Sequence, residues 1–269
     1  MSGAALRKRI LETPMKKIGI VGGIGWRSTV EYYAEICRRC EERHIAKGGM
    51  GTAPMPEIAI ESLDLATAFA WLGTDGDEGS WARFDEYHRA ALRRLEASGA
   101  EVALLAANTP HHRLKEIVRG VGIPVVSIVD AAAQEAARVR ARIGARQVLI
   151  LGTALTMDSD RFRKGFAKHG MEAAGPAHEV ERAATLQLIE ELQRGQVEGM
   201  AERVGSLART AFTGQFRGQP LVSLACTELP LAFPQMRSRA SFEAGGVVYI
   251  NTTAAHVEAV MEAANPGAC

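Results

Sequence analysis

The chain has 269 residues, 47% of them hydrophobic and 23% charged, with a formal net charge of +1. This composition supports a sizeable buried core in one large or two modest domains, and the near-neutral balance calls for neither a nucleic acid nor an acidic membrane surface as partner. No apolar run reaches the roughly 18 residues that span a bilayer.

Residues 1–14 (MSGAALRKRILETP) are basic but lack a long apolar stretch and a cleavage site. They read as a disordered leader rather than a targeting peptide, with Met15 a second candidate start. An apolar run predicts a first strand over 17–21, ending in Gly22, Gly23, Ile24 and Gly25 before a helix over 30–43. Glycines allow the sharp turn, and Ser28 or Thr29 is the expected helix cap. The turn resembles a phosphate-binding loop, but the G-x-G-x-x-G register is absent, and so is the acidic residue a dinucleotide needs. Free backbone N–H groups at such a helix start suit a small anion such as a carboxylate. Cys37 and Cys40, a C-x-x-C pair inside that helix, lack the second pair of a zinc site and read as ordinary helix cysteines. The four cysteines (Cys37, Cys40, Cys226 and Cys269) are expected to be reduced.

A second strand is predicted over 57–63, carrying Ser62, and residues 73–79 (GTDGDEG) form an exposed turn read as a flap. Helical spacing of Phe84, Tyr87, Ala91 and Leu95 predicts a helix over 81–98. A third strand over 102–106 runs into Ala107, Asn108, Thr109 and His111. A short helix over 113–119, a strand over 124–128 and a helix over 131–143 follow. The pattern then restarts with a strand over 147–151, a turn at Gly152 and Thr153, and helices over 159–169, 179–194 and 198–212. A strand over 221–225 runs into Cys226, Thr227 and Glu228; a last strand over 247–251 precedes a helix over 253–264. Alternating strands and helices argue for an α/β fold with parallel sheets. The restart predicts two pseudo-symmetric, doubly wound, Rossmann- or flavodoxin-like domains, with the active site in the cleft between them. Their expected extents are residues 15–130 plus 247–269, and residues 131–246.

The polar groups at the strand ends are hydroxyls, amides and glycine backbone: Gly23, Ser62, Asn108, Thr109, Gly152, Thr153, Thr156, Thr227 and Glu228. Such donors suit a small carboxylate substrate. Cys226 is the candidate acid–base group; to act as a base its thiol must be acidified by backbone dipoles at the following turn. His111 is either a proton donor or thiol-activating partner, or a surface histidine at a helix start, whereas His112 reads as a surface residue. Glu228 either orients Thr227, binds an ammonium group, or closes the loop by a structural hydrogen bond.

The segment 21–29 (VGGIGWRST) with Tyr32 and Tyr33, Asn108-Thr109 with His111, Gly152-Thr153 with Thr156 and Met157, Cys226-Thr227-Glu228-Leu229, and Ile250-Asn251-Thr252 together resemble the aspartate/glutamate racemase family over nearly the whole chain after Met15. The resemblance implies a cytoplasmic, homodimeric isomerase that needs neither pyridoxal phosphate nor metal, in which two thiols work on opposite faces of the substrate α-carbon. The chain departs from that pattern at Ala107, where the family commonly has cysteine, and a methyl group carries no proton. Catalysis is therefore assigned to Cys226, His111 and the position of Ala107. A one-cysteine lyase, decarboxylase or isomerase of the arylmalonate decarboxylase kind, or a degenerate carboxylate-binding homologue, is the alternative. The family's basic residue in the middle long helix is also missing at Ala184; Arg182 or Arg163 is left to stand in, which leaves open a substrate other than aspartate or glutamate.

Overall fold

The computed structural model describes residues 15–74 and 76–265. The expected leader over 1–14, Asp75 of the exposed turn and Cys269 lie outside the described residues. The chain forms two compact units. One comprises the chain up to Ala106, Lys115–Val126 and the chain from Val257; the other comprises Ala107–Leu114 and Ser127–His256.

In the first unit β1 (Ile18–Gly22) lies between β2 (Ile58–Ser62) and β3 (Val102–Leu105), all parallel. Helix α1 (Trp26–Ala46) buries Tyr32, Ile36 and Cys40 against Ile18, Ile20, Val102 and Leu104 on one face of the sheet. The C-terminal residues Val257, Val260, Met261 and Ala264 pack on the same face. The short helix α2 (Leu65–Ala70) follows β2, capped by Asp64, which accepts from Thr67 N–H. Helix α3 (Ala82–Ala97) covers β1 from the other side, with Leu95 and Ala100 against Gly19. Each fully buried isoleucine or leucine here contributes about 1.5–3 kcal/mol, which is why β1 and β3 read as unbroken apolar runs. The turn before α3 is tied down: Trp81 donates its indole N–H to Thr74 O at 3.1 Å. The expected strand over 124–128 reduces to a single parallel bridge between Ala103 and Val125. A helix takes over at once, because Ser127 caps it by accepting from Asp130 N–H.

The short helix α4 (Leu114–Ile117) belongs to the first unit from Lys115 on; the second unit has α5 (Ile128–Ile143), β4 (Gln147–Gly152), α6 (Ala154–Met157), α7 (Asp160–Ala167) and β5 (Glu172–Ala174). Next come α8 (Glu179–Gln193), α9 (Met200–Gln215), β6 (Leu221–Ala225), β7 (Ser241–Ala244) and β8 (Val247–Asn251), and α10 (Thr252–Ala263) closes the fold. The sheet order is β5-β4-β6-β8-β7, parallel apart from the β7–β8 hairpin. One face is covered by α5 and α7 through Ala132, Val139, Phe162 and Phe166, the other by α8 and α9 through Leu188, Leu192, Val204 and Phe212. The sheet is thus doubly wound, and the β5-β4-β6 order repeats the β2-β1-β3 order of the first unit.

Three expectations need correction. The sequence pattern predicts no strand at β5 or β7, which are only three and four residues long and lie at the sheet edges. Residues 247–251 were assigned to the first domain, but β8 pairs with β6 in the second sheet. The helix start at 30 moves to Trp26, and its N-cap is Gly25 rather than Ser28 or Thr29.

Candidate active site

Strands β4, β6 and β8 are parallel neighbours, so Gly152, Ala225 and Asn251 end at one edge of the second sheet. Beyond β4 the chain turns to α7, whose Phe162 and Phe166 pack on one face. Beyond β6 it enters the 3-10 turn Leu229–Ala232, whose Leu229 and Ala232 pack on the opposite face. Adjacent strands whose continuations diverge leave a crevice at their carboxyl ends, where open α/β sheets bind ligands. Gly152 and Ala225 are cross-strand partners, and a Cβ on Gly152 would stand 2.7 Å from Ala225 O. Cys226 is the first residue past that point.

Cys226 is 6% exposed. Its Sγ donates to Glu228 Oε2 at 2.9 Å, and Thr227 Oγ1 donates to the same oxygen at 3.1 Å. Of the readings open for Glu228, the geometry shows it holding both the thiol and Thr227. Burial pushes the Cys226 thiol well above its ordinary range, and the Glu228 carboxylate pushes it further. The backbone N–H groups of Glu228 and Thr227 pull the other way, as the sequence reading expected, but they are outweighed. At rest Cys226 is therefore a protonated thiol, which must give up its proton before it can act as a base.

Asn108 is buried close to the strand that leads to Cys226. Its Nδ2 donates to Thr252 Oγ1 at 3.4 Å, and Thr252 Oγ1 donates its own proton to Leu224 O at 2.9 Å. Since the hydroxyl proton is spent on Leu224, the amide must donate to Thr252, which fixes the orientation of Asn108. Asn108 Oδ1 is buried with no hydrogen-bond partner. Ala107 is buried and is the register counterpart of Cys226. Val21 pairs with Leu105 as Leu151 pairs with Leu224, so Ala107 and Cys226 each lie two residues past equivalent positions. Thr109 opens a 3-10 turn over Thr109–Arg113.

The glycine turn after β4 is closed by a 3.0 Å contact between the hydroxyls of Thr153 and Thr156. His111 is fully buried, not a surface residue: its Nδ1 accepts from Ile128 N–H at 3.4 Å, and its ring meets His256 edge-on at 5.4 Å between centroids. The ring proton of neutral His111 is therefore on Nε2. His112 Nδ1 lies 3.3 Å from Ser159 Oγ. Both cations considered as stand-ins for the missing lysine are engaged. Arg182 donates to Asp158 Oδ2 at 2.5 Å, and Arg163 donates to Asp158 O at 2.6 Å and to Asp160 Oδ1 at 2.8 Å.

Gly23 and Ser62 belong to the first unit. Gly23 has φ +87°, and a Cβ there would stand 2.0 Å from Leu63 O, so only glycine fits. Its N–H is not free for an anion as the sequence suggested, because Thr29 Oγ1 accepts from it at 2.9 Å. Ser62 is exposed at the end of the edge strand β2, opposite Gly22.

Sequence reasoning passed over two residues of the second unit. Thr252 was noted only as a strand end; its link to Asn108 joins segments 144 positions apart and has no local signal. Glu181 is a carboxylate on the inward stripe Glu181, Thr185, Leu188 and Leu192 of α8, the one charge at helical spacing on that buried face. Among the described residues no group of three or more His, Cys, Asp or Glu is placed to hold a metal ion, and no helix is long and apolar enough to cross a membrane.

The Asp/Glu/Hydantoin racemase family matches residues 21–260. The chain is 24% identical to the broad specificity amino-acid racemase RacX of Bacillus subtilis (strain 168) over 82% of its own length and 89% of the relative's. The crystal structure of an aspartate racemase homologue from Pyrococcus horikoshii OT3 is 30% identical with a TM-score of 0.69, over 93% of this chain and 99% of that one. A putative Asp/Glu racemase from Yersinia pestis is 27% identical with a TM-score of 0.71, over the same shares. The chain belongs to the Asp/Glu/hydantoin racemase family.

Proposed function

We propose that the chain is an amino-acid racemase-type enzyme in which Cys226 moves the α-proton of a small amino acid. The observation that carries this reading is the Cys226–Glu228 hydrogen bond of 2.9 Å at the crevice between β4 and β6. To abstract a proton, the thiol first passes its own proton to Glu228 Oε2 along that bond. The thiolate then takes the α-proton, and the electron pair left on carbon spreads into the substrate carboxylate. Redelivery by Cys226 restores the starting configuration; inversion requires that the opposite face take its proton from solvent, since Ala107 carries none. Hydroxyl donors at Thr109, Thr153 and Thr156 are assigned to the substrate carboxylate, where each well-placed donor contributes about 3 kcal/mol to stabilising the developing charge; Asn108 and Thr227, whose donors are engaged, are assigned to the substrate as acceptors. His111 supports the loop carrying Ala107 to Thr109 through its bond to Ile128 N–H.

Ala107 favours a second reading. One thiol can protonate a carbanion on one face only, which suits a lyase, a decarboxylase or a one-sided isomerase. Incubating enantiopure amino acids in deuterium oxide separates the two. The racemase reading expects α-deuterium with loss of optical purity; the second expects loss of a carboxyl group or a new double bond without racemisation. In the racemase reading the acid–base work is assigned to side chains, so activity survives hydroxylamine and chelator. A homodimer and a cytoplasmic location accompany it, supported by family membership and tested by light scattering and cell fractionation.

A further inference from the structure

Glu181 is 8% exposed, and its Oε2 is buried with no hydrogen-bond partner. A buried carboxylate oxygen left without a donor costs several kcal/mol unless something fills the gap. β5 runs parallel to β4, so α8, which follows β5, begins at the carboxyl edge of the sheet. Arg182 fastens that first turn to Asp158, at the end of α6, and α8 packs on the 3-10 turn that follows Glu228. The first turn of α8 is thus tied to the continuation of β4, and the helix packs on the continuation of β6. The inward stripe of α8 points the Glu181 carboxylate to the face that holds Cys226.

Charge decides what fits. Arg182 and Arg163, which would read an acidic substrate side chain, are both occupied by Asp158 and Asp160. The opposing feature is Arg161, whose Nε is also buried without a partner. In the same unit two acceptor-only atoms, Glu181 Oε2 and Asn108 Oδ1, are buried without a partner, as are the hydroxyls of Ser223, Tyr249 and Thr253, which can donate or accept. An amino acid with a basic side chain supplies a donor for each acceptor-only atom: its side-chain cation for Glu181 and its α-ammonium for Asn108. Arg161 is left for the carboxylate. Resting on the proposed amino-acid reading, we infer that Glu181 is a specificity residue that selects amino acids bearing an amino or guanidino side chain.

The test compares L-lysine, L-ornithine, L-glutamate and the uncharged isostere L-norleucine. α-Deuterium incorporation and calorimetric binding are measured for the wild type and Glu181→Gln. The expected result is a wild-type preference for lysine or ornithine over norleucine and glutamate of at least about tenfold in kcat/KM, since a site built for a polar group rejects analogues lacking it. In Glu181→Gln that ratio falls at least about tenfold through KM, because the glutamine carries no charge to pair with the cation. Preference for glutamate, or a lysine-to-norleucine ratio unchanged in the variant, overturns the inference while leaving the amino-acid reading intact. If no amino acid exchanges its α-proton, Glu181-dependent lysine binding still supports it. Neither exchange nor binding of any amino acid overturns both.

Discussion

The Cys226 thiol donates its proton to Glu228, two residues further along the same turn, at 2.9 Å. The carboxylate is both a proton acceptor for the thiol and a reason for it to stay protonated. Replacing Glu228 with Gln removes the negative charge but keeps a neighbour of the same size. The Cys226 pKa then falls, so alkylation of this thiol at pH 8 speeds up and its pH profile moves to lower pH. Mass-spectrometric alkylation rates between pH 6 and 10 check this; a profile unchanged or moved upward contradicts it.

Thr252 spans Asn108 and Leu224 O. Thr252→Val leaves a buried amide hydrogen and a buried carbonyl unpaired, at a cost of about 1–3 kcal/mol. Thr252→Ser retains both bonds. Urea denaturation is expected to show the loss in Val and its recovery in Ser, and α-proton exchange is expected to follow the same pattern because Asn108 is no longer held. A valine variant as stable and active as the serine one contradicts the bridge.

Burial pushes the His88 imidazole down to about 4, against weaker raising effects of the Phe84 carbonyl and Asp85. The unfolded chain binds this proton near pH 6.5 and the folded one does not until about pH 4. The unfolded state therefore holds more protons between those values, and stability present above pH 6.5 is lost as pH falls toward 4, on the order of 3 kcal/mol. His88→Phe is expected to flatten that part of the stability–pH curve; an equally steep loss in the variant contradicts the assignment.

Gly23 holds a left-handed conformation against Leu63 O. Gly23→Ala is expected to cost on the order of 3 kcal/mol, from strain and the backbone clash. Gly48, at φ +72° with open space around it, provides the control: its alanine variant carries only the left-handed penalty of about 1 kcal/mol. Similar midpoints in urea for the two variants would count against the close approach.

The sequence disclosed the fold where burial is two-sided. β1, β3, β4, β6 and β8 are apolar runs because helices cover both faces, and each ends in the polar turn that carries function. Edge strands lack that signal: β5 is Glu172–Ala174 and β7 is Ser241–Ala244. β7 went unread although Gly245-Gly246 is a hairpin dipeptide, and the structure shows it turning tightly into β8. At the site, Cys226 and Asn108 were named from their strand ends. The state of the thiol was not, because nothing in Cys-Thr-Glu reveals that the glutamate folds back onto the sulfur. Thr252 and the orphaned Glu181 depend on contacts distant in sequence.

Ala107 occupies the register position that corresponds to Cys226. With one thiol, exchange with solvent on the Cys226 face outruns inversion, so deuterium enters with retained configuration before optical purity falls. Ala107→Cys supplies a second proton carrier and is expected to bring the inversion rate up toward the exchange rate, as read by chiral chromatography. No rise in inversion over a panel of amino acids contradicts the two-sided mechanism.

The most direct test is α-deuterium incorporation by Cys226→Ser in deuterium oxide, measured with the best substrate of the wild type. The account predicts exchange reduced to the uncatalysed background with folding intact by circular dichroism. Exchange at the wild-type rate would contradict it, since the proton would then be moved by some group other than this sulfur.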